Sequence, residues 1–374
     1  MKNMKKLVAM MLMLLSVFFF ACNDDEEKEP LSPETAKTTL NDLGTQMSAD
    51  MDEMVNSEGM KIIQLLNSMN DPFASGTSKS DLRTSVLPNI EKYLIPSFEA
   101  KNKKSSYEVS EFVFSEWTGT YIWDNDLQVW NPSDSPNDRI ILRFPSDSTN
   151  MDVNDATLTI YNYQEQMFVD DDLSEYYQPT AISADLKVDN VLIIEISLTA
   201  SWNTNGEPET LNISVYLNPF TFSGSLIVGT TSSKVDFSIQ MNTTKILSTG
   251  IEALFTDATK EILKKVSGYI QYREVKVSAS INVANILTIF DQLENGTSPF
   301  TTQEDLVNAI NKEIDAKITK NGALVANIKL GYINQQLTVV LIFSDGTIEA
   351  AQPYFEGFAA NIEEFIGFLD EYFN

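Results

Sequence analysis

The side chains that usually do chemistry near neutral pH are scarce in this sequence, which contains no histidine. That removes the ordinary general base, the serine–histidine and cysteine–histidine nucleophile systems, and most zinc sites. A single cysteine, Cys22, excludes an intrachain disulfide. Three catalytic routes are left: a pair of carboxylates, a lysine base, or a metal held by oxygens. Acids are abundant, with 53 Asp and Glu against 26 Lys and Arg. In such a chain a carboxylate pair can be drawn almost anywhere, so its presence carries no information. GxSxG, Walker A, GxGxxG and HExxH patterns are all absent. The residues therefore read as a non-enzyme without a cofactor, and a carboxylate-dependent hydrolase ranks last among the alternatives.

Two acidic clusters could hold calcium. Asp170, Asp171 and Asp172 stand beside Glu175, and Asp124-Asn125-Asp126 forms the second. Neither has the alternating ligands, central glycine and terminal Glu of an EF-hand loop, so exposed acidic loops are the favoured reading. Trp117, Tyr121, Trp123 and Trp130 lie close together in sequence, next to Asp124, Asp126 and Asn131. Rings that stack on apolar sugar faces, flanked by acids and amides for the hydroxyls, are what glycan binding needs. Large rings are also ordinary sheet-core residues, and the shared face of Tyr121 and Trp123 favours core.

The N-terminus is more specific. Lys2, Lys5 and Lys6 make a basic start, and Leu7 to Phe20 is apolar apart from Ser16. The run is too short to span a bilayer and ends in Ala21-Cys22, the pattern of a cleaved signal peptide. Phe19-Phe20-Ala21-Cys22 resembles the lipobox of bacterial lipoproteins, although Phe replaces the Leu and the small residue usual at its first two positions. That resemblance implies cleavage after Ala21 and lipid on the Cys22 thiol. Asn23-Asp24-Asp25-Glu26-Glu27 resembles the export tag of surface lipoproteins in the Bacteroidota. It implies an outer-membrane protein facing the cell exterior. Asp147-Ser148-Thr149 resembles a short O-glycosylation sequon of the same group, with Ser148 as the acceptor.

Net charge is −27. Removing residues 1–21 takes away three lysines and no acid, which brings the mature chain to about −30. That field repels nucleic acid and anionic headgroups. The partners expected are a membrane reached through Cys22, and a glycan or protein.

The elements that would carry these residues follow from periodicity. Residues 22–33 read as an acidic tether. A helical segment fills 34–105: Leu40, Leu43, Met47, Met51, Met54 and Val55 recur at three- and four-residue steps. Gly59 interrupts it, Ile62 to Met69 continues it, and a further helix is expected over 82–93. From 106 to 245 the period becomes two, beginning with Phe112 and Phe114. Short turns at Asp189-Asn190, Asn205-Gly206 and Asn218-Pro219 predict an antiparallel meander, one face apolar and the other polar. Residues 246–374 read as a mixed section. Helices are expected over 251–267, from Thr302 through Ile318, and over 353–373. A strand is expected over 275–283, and a hairpin turning at Asn334. The expected class is α+β: a curved antiparallel meander with helices on its concave side. A lipoprotein that binds a ligand or partner, a glycan or a component of an outer-membrane machine, is the first functional expectation. A carrier of a hydrophobic molecule between sheet and helices is the second.

Overall fold

A computed structural model describes residues 28–69, 114–169 and 175–373. Among them are five α-helices: α1 (Pro33–Val55), α2 (Glu58–Ser68), α3 (Val283–Glu294), α4 (Gln303–Lys312) and α5 (Gln352–Phe373). The first eight strands are β1 (Gly119–Asp124), β2 (Val129–Ser133), β3 (Ile140–Phe144), β4 (Ala156–Val169), β5 (Glu175–Val188), β6 (Val191–Trp202), β7 (Pro208–Leu217) and β8 (Phe220–Val228). The next eight are β9 (Ser232–Met241), β10 (Thr244–Phe255), β11 (Leu263–Tyr272), β12 (Val275–Ile281), β13 (Ile314–Lys320), β14 (Ala323–Ile333), β15 (Gln336–Ile342) and β16 (Ile348–Ala350). They follow one another in a single hydrogen-bonded order from β16 down to β3, then β1 and β2. β1 and β3 run parallel. The ladders from β3 to β7 and from β9 to β16 are antiparallel. The expected meander is therefore present, and most of its turns are short enough to make antiparallel neighbours the natural outcome. None of the helices among the described residues is long and apolar enough to cross a membrane.

Two compact units divide the described residues. One takes Met51–Ser225 and the residues from Glu364 onward; the other takes the residues up to Asp50 and Leu226–Glu363. In the 51–225 unit the core joins Met60 and Ile62 of α2 to Trp123, Trp130, Ile140, Phe144, Leu186 and Leu217 of the sheet. β3 buries Ile140, Leu142 and Phe144 and turns Ile141 and Arg143 outward, the alternation of a half-buried strand. Helix α2 starts at Ser57, whose hydroxyl accepts from the Met60 N–H. The helical pattern thus breaks at Asn56-Ser57, and Gly59 lies inside the first turn of α2. Its own role is close approach: a Cβ there would stand 3.0 Å from Leu217 Cα.

In the 226–363 unit α3 packs on β11, and α4 packs on β13 and β14. Ile286, Val307 and Ile310 meet Ile281 and Leu330 there. Lys329 fastens α4 from below. Its ammonium donates to the carbonyls of Asn311 (3.0 Å), in the last turn of α4, and of Ile314 (2.7 Å), the first residue of β13. Burial holds its pKa below the usual lysine value. β12 is buried along both parities, Ser278 and Ser280 as well as Val277, Ala279 and Ile281. A strictly apolar-in, polar-out rule does not hold for this strand, because small serines let neighbours close over the second face.

Several expectations are corrected. Residues 251–267 are not a helix; they are the end of β10, a loop and the start of β11. Ile251, Leu254 and Phe255 fit a helical spacing, but ladders with β9 and β11 take up the backbone hydrogen bonds of β10 instead. The helix opening at Thr302 stops at Lys312, and Ile314 and Ile318 belong to β13. Its start is as expected: the Thr302 hydroxyl accepts from Asp305 N, and Asp305 accepts from Thr302 N, a capping box. Val283 does not end a strand; it opens α3, capped by Asn282, an element the periodicity reading missed. Phe114 lies in a short 3-10 turn rather than a strand. The strand at 275, the hairpin at Asn334 and the C-terminal helix stand where expected. The helix expected over 82–93 and the strand residue Phe112 lie outside the described residues.

Candidate functional site

The candidate site belongs to the 226–363 unit and forms between α1 and a row of hairpin turns. Pro33 supplies the pre-set φ of a first helical position. Ser32 before it accepts from the Thr35 N–H at 3.4 Å. From there α1 buries Leu40, Leu43 and Met47 and leaves Glu34, Thr35, Thr38 and Asp42 exposed. Methionines 47, 51 and 54 are core residues, as expected of such a stripe.

Opposite this polar face, the β11–β12 turn places Arg273 at φ 48°, in the left-handed region. The Arg273 N–H donates to Ile246 O at 2.8 Å, which ties that turn to the next strand. Its guanidinium forks onto the buried Asp50 of α1, Nε to Oδ2 at 2.8 Å and Nη2 to Oδ1 at 2.5 Å. Tyr272 donates its hydroxyl to the same Oδ2 at 2.6 Å. Three charge-assisted bonds to one carboxylate lock helix to turn. Burial first, then the Asp50 bond, push the Tyr272 phenol well above its usual range. The Asp50 bond is also the main cause that raises the Arg273 pKa.

Between these walls lies a cleft of about 640 Å³. On the helix side are Glu34, the three threonines 35, 38 and 39, Asp42 and Gln46; on the turn side are Lys245, Arg273, Glu274 and Lys320. Leu43 and Val275 are its only aliphatic lining. Hydroxyls, carboxylates, an amide and two ammonium groups offer directed hydrogen bonds, while carbon atoms make up the larger part of the exposed lining. Among the described residues no three His, Cys, Asp or Glu side chains converge as a metal site. Where carboxylates among the described residues have a displaced pKa, the direction is downward. Thr149 lowers Asp147, and Lys37 followed by Tyr354 lowers Glu349.

The residues singled out in the sequence fall elsewhere. Ala21, Cys22, Asn23, Asp24, Asp25, Glu26 and Glu27 lie outside the described residues, as do Asp170, Asp171 and Asp172. Trp117, Tyr121, Trp123 and Trp130 are all buried in the core of the 51–225 unit. Trp123 and Trp130 are cross-strand partners with ring centroids 5.3 Å apart, edge to face. Trp130 meets Phe144 at 6.2 Å in the same way. The Tyr121 hydroxyl donates to Trp117 O at 3.0 Å. These ring faces are covered by protein, so they do not form the open stacking platform a sugar would need. Asp124 accepts from Leu127 N at 3.0 Å and thereby shapes the β1–β2 turn. Asp126 is exposed, and so is Ser148. Asp147 accepts from both the N–H (2.8 Å) and the hydroxyl (2.9 Å) of Thr149, so Ser148 sits at the tip of an ordered turn.

The sequence reading missed the cleft. A signal for half of it existed: Glu34, Thr38, Asp42 and Gln46 recur at four-residue steps on the polar side of an amphipathic helix. The other half comes from turns far apart in the chain, and only strand pairing brings them together.

No protein-family model matches this chain. No curated protein matches it. Among solved structures, it is similar to a porin-like protein from Bacteroides vulgatus ATCC 8482 at 8% identity, covering 49% of this chain and 88% of that one, with a TM-score of 0.20.

Proposed function

We propose that this protein is a lipid-anchored, non-catalytic binding protein of an outer membrane, facing the cell exterior. In this reading it takes a hydrophilic ligand, such as a glycan, in the cleft between α1 and the hairpin turns. The observation that supports the binding part is the cleft itself: its volume suits a small ligand, and most of the residues that line it carry a hydroxyl, carboxylate, amide or cationic group able to make directed hydrogen bonds. The anchoring part rests on the basic start, the short apolar run and Ala21-Cys22. The absence of histidine supports a binder over a catalyst. A hydrophobic-molecule carrier would need an enclosed cavity lined by apolar side chains, whereas this cleft is open and lined mostly by residues with polar or charged ends.

The test has two parts. Cells grown with labelled palmitate should label the wild-type protein and not Cys22→Ala; no label on wild type would remove the anchor. The soluble mature chain is then applied to a glycan array alongside Asp42→Ala and Lys320→Ala. Binding by wild type that weakens at least tenfold in both variants is the expected result. Wild-type binding unchanged in both variants would move the site away from the cleft.

A further inference from the structure

Part of the segment read from the sequence as a tether, 22–33, is fastened to one particular end of the 226–363 unit: residues 28–31 dock on it. Lys28 forms a parallel bridge with Ala323, the first residue of β14. Leu31 N donates to Leu324 O at 2.8 Å, and the Ser344 hydroxyl donates to Leu31 O at 2.8 Å. The segment before α1 therefore docks against the start of β14.

That docking point belongs to a registered row of strand ends. Ala323 pairs with Lys320, Lys320 with Val275, Val275 with Tyr272, and Tyr272 with Leu247. The β9–β10 turn, where Met241 pairs with Thr244, continues the row. The opposite ends of the same strands carry the β10–β11 loop, around Glu261, and the β14–β15 turn before Gln336. β14 has eleven residues, so its two ends are about 35 Å apart.

Cys22 precedes Lys28 by six residues. A fully stretched chain of that length reaches about 20 Å at most. A lipid on Cys22 would thus hold the Ala323 end close to the headgroups, whatever path the tether takes.

We infer that the 226–363 unit faces the anchoring bilayer with the end that carries the β9–β10, β11–β12 and β13–β14 turns. This inference rests on the proposed anchor at Cys22. The same turns line one wall of the cleft, so the cleft stands within the tether's reach of the headgroups.

The test uses the full lipidated chain in vesicles of phosphatidylethanolamine and phosphatidylglycerol that contain a headgroup-labelled acceptor lipid. Lipid occupies the Cys22 thiol, so an introduced cysteine is the sole labelling site. Donor dyes are placed at Thr243→Cys and Glu274→Cys on the near end, and at Glu261→Cys and Gln336→Cys on the far end. All four native residues are exposed. Energy transfer is expected to be several-fold stronger from both near-end positions than from both far-end ones. A Gly/Ser spacer inserted between Glu27 and Lys28 should shrink that contrast. Equal transfer from the two ends, or stronger transfer from the far end, overturns the orientation while leaving the anchor standing. An intact mass without a diacylglyceryl addition overturns both.

Discussion

At the residue scale the most consequential side chain is Asp50. It is 7% exposed and accepts three hydrogen bonds, from Tyr272 and from two nitrogens of Arg273. Removing it strands a buried phenol and a partly buried guanidinium. Arg273 keeps some access to water, so the cost of Asp50→Ala is expected at about 1–3 kcal/mol. Urea denaturation of variant and wild type measures it; a loss under a few tenths would mean the lock is slack. Tyr354 offers a pH test at the same scale. Burial, then its bond to Glu349, push its phenol from 10.0 up to about 12. A folded pKa above the unfolded one means that the contribution is complete below pH 10 and is lost as pH rises towards 12. Tyr354→Phe should flatten the fall in stability across that window, as read from melting temperatures in a pH series.

At the element scale, α2 shows how one glycine sets a packing distance. Gly59 sits where a Cβ would press on the backbone and side chain of Leu217, 3.0 Å away. Gly59→Ala improves helix propensity by less than 1 kcal/mol and forces α2 off β7. The net result expected is a destabilisation of about 1–3 kcal/mol, measured by chemical denaturation; a stabilised variant would show that the helix yields without cost. The β10–β11 hairpin makes a second point. A helical spacing of apolar residues at 251–266 was legible, yet long ladders on both sides of β10 decide its state. Periodicity over a dozen residues cannot weigh that competition, because the competing hydrogen bonds come from β9 and β11.

At the scale of the whole molecule, a charge of −27 in 374 residues makes self-repulsion a general term. Raising ionic strength from about 10 mM to about 150 mM should raise the melting temperature, since the Debye length falls from roughly 30 Å to 8 Å. A flat or falling response would mean that local ion pairs such as Arg273–Asp50 outweigh the field.

Much of the fold was determined by sequence alone. Alternating apolar residues with short turns between them specify successive antiparallel strands, since side-chain period and turn chemistry are local properties. The stripes of α1 and α5 and the capping box of α4 are local in the same sense. The absence of histidine narrows the chemistry before any fold is known. Tertiary structure decided what depends on distant partners: that the rings at 117, 121, 123 and 130 face a core rather than solvent, that 251–255 and 263–266 join strands rather than one helix, and that a helix meets three hairpin turns around a cleft. Those outcomes depend on which strand lies next to which. Residues hundreds of positions apart, such as Asp50 and Arg273, meet only after the pairing is complete.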